Sequence, residues 1–239
     1  MSNKQQRSWL VVPVSKPDAV AQAAKSGADV VVLDLVEFVR DEQKPAAREK
    51  CRAALEMVRA GGAQVYAQID PQNHEADLSA CVGDGLSGIV VSRAESASQI
   101  AAIDKQLLLL EKERGLPAGS IVVVPALETA RGNQDAYEIA SASPRVRALT
   151  LGRADLVMDL RPEPSGEIHL MPYLMERLVI IARTIGVTPL GAWWRAPDRG
   201  LLATAANTLQ AAKRGRAVGF KGAMCLRAEQ IEPLNKIYA

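Results

Sequence analysis

The chain has 239 residues, 48% of them apolar and 23% charged, and its 29 Lys and Arg against 27 Asp and Glu leave a formal charge of +2. That length and balance suit one globular domain that buries its own core without metals or disulfides to hold it together. The weak charge excludes the concentrated basic face of a nucleic-acid binder, and no apolar run approaches the length of a membrane span.

From the N-terminus, the first apolar run, Trp9–Val14, is too short for a signal-peptide core and is stopped by Ser15, Lys16 and Pro17. A soluble, cytoplasmic protein is therefore expected. Further runs rich in Val, Ile and Leu follow at Val30–Leu35, Gln64–Ile69, Gly88–Ser92, Ile121–Leu127, Arg147–Leu151, Thr188–Trp193 and Gly222–Leu226. Uninterrupted runs of this kind suit parallel strands buried on both faces. Helical patterns lie between them, most clearly at Pro45–Ala60, Ala97–Arg114, Tyr173–Ile185 and Leu201–Lys213. Gly27, Gly61, Gly115, Gly186 and Gly219 stand where helices end, and Pro17 and Pro45 where they begin. Strands alternating with helices through eight units predict a (β/α)8 barrel, one domain spanning residues 1–239. Cys51, Cys81 and Cys225 are far apart and have no metal-ligand spacing, so they read as buried thiols in a reducing compartment.

Barrels of this type gather their chemistry at the C-terminal ends of the strands. Asp34 and Glu37 fall at the end of the second strand, Gln68 and Asp70 at the third, and Arg93 and Glu95 at the fourth. Glu128 closes the fifth, and Asp155 follows the sixth in Leu151-Gly152-Arg153-Ala154-Asp155. Glu128 and Asp155 end adjacent strands, so their carboxylates can converge above the barrel, the arrangement by which proteins hold a hard, oxygen-seeking ion such as Mg2+. A lone acid at a strand end is more often a helix cap or a salt-bridge partner, and only the pair together with its surrounding sequence favours a metal. Thr129 to Gly132 would open the next helix and present backbone N–H groups to an anion. Trp193 and Trp194 suit core or subunit packing better than a pocket wall. His74 and His169 lie in polar surroundings where no catalytic role is expected.

The surrounding sequence resembles a known family. Arg7-Ser8-Trp9-Leu10-Val11-Val12-Pro13, Gly27 to Leu35, Pro125-Ala126-Leu127-Glu128-Thr129-Ala130-Arg131-Gly132, Ala142-Ser143-Pro144-Arg145-Val146 and Gln230 to Asn235 are similar to stretches of citrate lyase β subunits, malyl- and citramalyl-CoA lyases and, more distantly, HpcH/HpaI aldolases. The resemblance implies Mg2+, with Mn2+ as a substitute, held by Glu128 and Asp155. It implies a carbon–carbon lyase or aldolase that passes through a metal-stabilised enolate, acting on a small hydroxy or oxo acid or its acyl-CoA. Asp34, Glu37, Gln68 and Arg93 become the candidate catalytic groups, with Arg7, Gln68, Thr129, Arg131 and Arg153 as candidate substrate contacts. A homo-oligomer, trimer or hexamer, is also implied.

Several positions depart from the family pattern. Gln68 stands where an arginine is usual and Ser92-Arg93 where Pro-Lys is usual, and with the sequence ending at Ala239 the C-terminal lid of longer relatives is expected to be absent. A lost charge-assisted contact is worth about 1.5–3 kcal/mol, a deficit that Arg93, Arg153 or Arg195 would have to supply. The alternative reading is a catalytically impaired barrel that serves as a binding or regulatory subunit.

Overall fold

Branched apolar side chains pack well on a pleated surface covered on both faces, and the Val- and Ile-rich runs of this chain form strands accordingly. A computed structural model describes residues 6–152, 156, 159, 171–192 and 204–239. Its eight strands are β1 (Ser8–Pro13), β2 (Val30–Asp34), β3 (Gln64–Ile69), β4 (Leu86–Val91), β5 (Val122–Leu127), β6 (Ala148–Leu151), β7 (Thr188–Ala192) and β8 (Gly222–Cys225). They pair in parallel in chain order, and β8 closes onto β1 to complete a (β/α)8 barrel. The expected strand runs agree with these bounds to within two residues at each end.

The helices are α1 (Pro17–Ala24), α2 (Lys44–Ala60), α3 (His74–Cys81), α4 (Ala97–Glu113), α5 (Ala130–Gln134), α6 (Ala136–Ser141), α7 (Met171–Ile185), α8 (Ala205–Val218) and α9 (Ile231–Ile237). In α2, Ala47, Cys51, Ala54, Leu55 and Val58 recur at helical spacing and are buried against the barrel. The Ser96 side chain accepts from the Gln99 backbone N–H and Gln99 reaches back in a capping box, which sets the start of α4. One expected terminator shifts: Gly62, at φ 91°, takes the left-handed turn after α2, while Gly61 remains helical.

The core has two layers. One fills the barrel lumen with Trp9, Val11, Val30, Val32, Tyr66, Val90, Val124, Ala126, Leu190 and Met224. The other, larger layer lies between strands and helices. The Trp9 and Tyr66 rings, 4.6 Å apart, plug the N-terminal end of the lumen. All three cysteines are buried and free, with the Cys51 and Cys81 sulfurs 3.1 Å apart between α2 and α3.

Below β5 and β6 lies a buried ionic cluster. The Arg145 guanidinium donates to both Glu111 oxygens at 2.8 and 2.7 Å, and also to Asp104. Glu111 accepts in addition from the N–H groups of Gly119 and Ile121. Burial would raise the Glu111 carboxyl, but the Arg145 hydrogen bonds and those amides outweigh it and hold the group below the ordinary glutamate range. Among the described residues, no helix is long and apolar enough to cross a membrane.

Candidate functional site at the C-terminal mouth

Side chains along a strand alternate with a period of two. Since Val32, Tyr66, Val90, Ala126 and Ala148 point into the lumen, the same parity turns Asp34, Gln68, Ser92, Glu128 and Gly152 inward at the C-terminal rim. Four of these are polar residues buried at the mouth: Asp34, Gln68, Ser92 and Glu128.

Glu128 is 8% exposed, and its Oε2 accepts from the Arg93 backbone N–H at 2.8 Å. The carboxylate lies directly over Gly152: a Cβ built there would come within 2.5 Å of Glu128 Oε1. A side chain at 152 is therefore incompatible with this carboxylate position. Gly152→Ala is expected to destabilise the fold by about 1–3 kcal/mol through overpacking, read as a lower midpoint in urea unfolding. Glu128 thus faces the head of the segment that carries Asp155. Asp155 itself, with Arg153, His169, Trp193, Trp194 and Arg195, lies outside the described residues.

The turn after Glu128 is pinned from several sides. Asn133 Nδ2 donates to the carbonyls of Leu127 and Thr129, and the Thr129 hydroxyl accepts from the Gly132 N–H at 3.0 Å. The Ala130 N–H donates to Asp159 Oδ2 at 2.6 Å. Of the amides expected to face an anion in this turn, those of Gly132 and Ala130 already have partners within the chain. Thr129, 2% exposed, serves as the N-cap of α5, while Arg131 stands exposed on that short helix.

Asp34 is fully buried and accepts from three backbone N–H groups, those of Val36, Glu37 and Phe38, at 2.8–3.0 Å. Burial pushes its carboxyl above the ordinary aspartate range, against those amides and the Lys44 charge, which favour ionisation. Its role is to fold the loop that carries Glu37. From that loop Glu37 Oε1 accepts from the Ser92 hydroxyl at 3.3 Å, and Ser92 Oγ accepts in turn from Gln68 Nε2 at 2.6 Å. Strands β3 and β4 and the β2 loop are thereby joined by one chain of hydrogen bonds. Ser92 is a functional candidate that the sequence reading noted only as a departure; its inward parity, two residues beyond Val90, was the available signal.

Beside this chain lies a cavity of about 240 Å3 whose polar lining includes Lys44, Asp70, Gln72, Ser92, Arg93 and Glu95. Lys44 Nζ lies 2.8 Å from Asp41 and 3.5 Å from Asp70. Burial works against the Asp70 charge, yet the Gln72 amide, Asn73 and Lys44 together hold its carboxyl below the ordinary range. The Arg48–Asp77 ion pair between α2 and α3 steadies this wall, because Asp77 also accepts the Asp70 N–H at 3.1 Å.

Arg7 does not join the site. It precedes β1, at the opposite end of the barrel, and its guanidinium pairs with Asp29 at 2.7 Å while also donating to the Asn235 carbonyl. Its expected substrate contact is replaced by a structural one, which ties β1 to β2 and the C-terminal helix. His74 Nδ1 lies 2.9 Å from the Pro71 carbonyl, a local contact within the loop after β3. Among the described residues no three His, Cys, Asp or Glu side chains converge on one point.

A family model described as HpcH/HpaI aldolase/citrate lyase matches residues 7–228. The chain is 27% identical over 243 residues to the citrate lyase subunit beta of Leuconostoc mesenteroides, covering 100% of this chain and 79% of that protein. It is 26% identical to an L-malyl-CoA/beta-methylmalyl-CoA lyase of Cereibacter sphaeroides, covering 97% and 78% respectively. A solved citrate lyase beta subunit from Mycobacterium tuberculosis, complexed with oxaloacetate and magnesium, superposes with a TM-score of 0.72 at 26% identity, over 98% of this chain and 97% of that one.

Proposed function

Given that this chain belongs to the HpcH/HpaI aldolase/citrate lyase family, we propose that it is a Mg2+-dependent carbon–carbon lyase that cleaves or forms a small hydroxy acid or its CoA thioester. The observation that carries this reading is the Glu128 carboxylate, turned over the one rim position without a side chain, Gly152, at the start of the segment bearing Asp155. The fit is chemical as well as spatial: a buried carboxylate at the mouth of a barrel offers the oxygen donor that a hard divalent ion prefers. Glu128 and Asp155 would hold Mg2+, with Mn2+ as the substitute.

Bound there, the ion supplies Lewis-acid stabilisation of the negative charge that develops when the carbon–carbon bond breaks. The remaining steps belong to the chain. The Arg93 amide fixes one Glu128 oxygen and so the direction of the other. Asp34 holds the loop that presents Glu37 to the mouth. Glu37, in contact with Ser92, takes or returns the proton at the reacting carbon, and Gln68 keeps the Ser92 hydroxyl aimed at Glu37. Assembly as a cytoplasmic homo-oligomer extends the same reading; Leu108 and Leu109 on α4 and Ile180 on α7 are exposed apolar residues that a subunit contact would cover.

A panel of malyl-, citramalyl- and 3-hydroxy-3-methylglutaryl thioesters and free 4-hydroxy-2-oxo acids tests the proposal. Cleavage of at least one substrate is expected with Mg2+ and none after chelation. The second reading, a binding barrel without turnover, is favoured by the neutral Gln68 amide being bonded to Ser92 at the mouth. It gains if Mg2+ binds and every substrate remains intact.

A further inference from the structure

We propose that Cys51 and Cys81 form an oxidation site, where a hydroperoxide converts two thiols to a disulfide that clamps α3 and the loop after β3. Neither cysteine belongs to the chemistry of the mouth, so the inference is independent of the metal-site reading.

Geometry carries the assignment. The two sulfurs face each other between α2 and α3 at 3.1 Å, with Cys81 donating to Cys51 and Cys51 toward the Ala47 carbonyl at 3.8 Å. A disulfide spans about 2.05 Å, so a closing movement of about 1 Å joins them. The third thiol, Cys225, lies on β8, outside that helix pair.

Burial decides when the pair reacts. The hydrogen bond to Cys51 and burial together hold the Cys81 thiol well above its ordinary range, and the thiolate is the reactive form. In the closed fold the pair therefore rests as a dithiol. The element that can open is α3, in which Asp77, Leu78 and Cys81 are the buried residues and Leu78 the one large apolar side chain. Much of its remaining hold is polar, from Arg48 to Asp77 and from Arg114 to the Ser79 and Val82 carbonyls. An element with so little apolar anchoring opens locally at low cost.

The step balances with the peroxide as oxidant. One thiolate attacks the O–O bond and becomes a sulfenic acid, releasing water or an alcohol. The second thiol, already beside it, attacks that sulfur, forms the S–S bond and expels water. The two sulfurs lose two electrons and two protons in all, and the peroxide takes them up.

The effect of the link reaches the mouth. Arg48 stands one turn from Cys51 on α2, Asp77 one turn from Cys81 on α3, and the two pair at 2.8 Å. Asp77 also accepts the Asp70 N–H, and Asp70 holds the Gln72 amide and Asn73. A covalent link beside this ion pair keeps α3 closed, and with it the part of the cavity wall that Asp70 contributes.

The intact mass of the full chain before and after treatment with hydrogen peroxide provides the test. The wild type should lose two hydrogens, regain them with dithiothreitol, and yield a Cys51–Cys81 cross-linked peptide on digestion. Cys225→Ala should behave in the same way, whereas Cys51→Ala and Cys81→Ala should show no such loss. The link joins residues 30 positions apart, so the oxidised wild type should melt about 5–10 °C higher. Hydrogen exchange at the Asp70 amide should slow as well. An unchanged mass, oxygen addition in place of hydrogen loss, a cross-link through Cys225, or a loss that persists in either single variant would overturn the site. A link that forms without changing the melting temperature or the Asp70 exchange would overturn the clamp.

Discussion

Mg2+ is expected to raise the melting temperature of the wild-type protein, and Glu128→Gln to abolish that rise. A ligand that binds only the folded state stabilises it by about 2.7 kcal/mol at a hundredfold excess over its dissociation constant. For a chain of this length that is roughly 5–10 °C in melting temperature. Glutamine preserves shape, and its amide oxygen can still accept from the Arg93 N–H, so without metal the variant should melt close to the wild type. What it removes is the anionic oxygen beside Gly152. Turnover should fall by on the order of a thousandfold, the scale of losing electrostatic stabilisation of developing charge. A full Mg2+ shift in Glu128→Gln, measured by differential scanning fluorimetry over a metal titration, would remove Glu128 from the metal site.

Glu111→Ala should have the largest effect on stability. It leaves the Arg145 guanidinium, 6% exposed, with Asp104 as its remaining acidic partner. Breaking a buried ion pair by removing one partner costs about 3–5 kcal/mol, and urea unfolding should show it. The pH dependence has a definite sign. The Glu111 carboxyl is held below its unfolded value, so its contribution is fully present above the unfolded glutamate pKa and is lost as pH falls through the folded one. Acidification should therefore destabilise the wild type more steeply than Glu111→Gln, which has no proton to take up at that position. Parallel acid slopes would show that the cluster does not act through ionisation.

Much of the barrel is legible in the chain because Val30–Asp34 and Val122–Leu127 are buried on both faces, and such strands carry no polar interruption to blur their limits. The site is less legible because its geometry depends on parity and on loop paths. Glu128, Gln68 and Ser92 can be placed by counting in twos from lumen residues, once a strand's register is known. Lys44 cannot: it reaches the cavity from the start of α2, across a loop whose path is set by the Asp34 hydrogen bonds. Arg7 was misassigned for a reason visible in principle. It sits in a matching motif, yet it precedes its strand, and in this architecture that is the end remote from the chemistry. Thr129 likewise has a sequence signal, a threonine before a helical start, that fits capping better than ligand contact.

The ionic knot under β5 and β6 also reaches beyond stability. Glu111 grips the Ile121 N–H just before β5, and Arg145, whose carbonyl accepts from Val123, stands just ahead of β6. The two strands resemble the tines of a fork clamped at its handle, with Glu128 at one tip and Gly152 at the other. Loosening the handle would let the tips splay, so ion affinity at the proposed site would be a gauge of stiffness at the base.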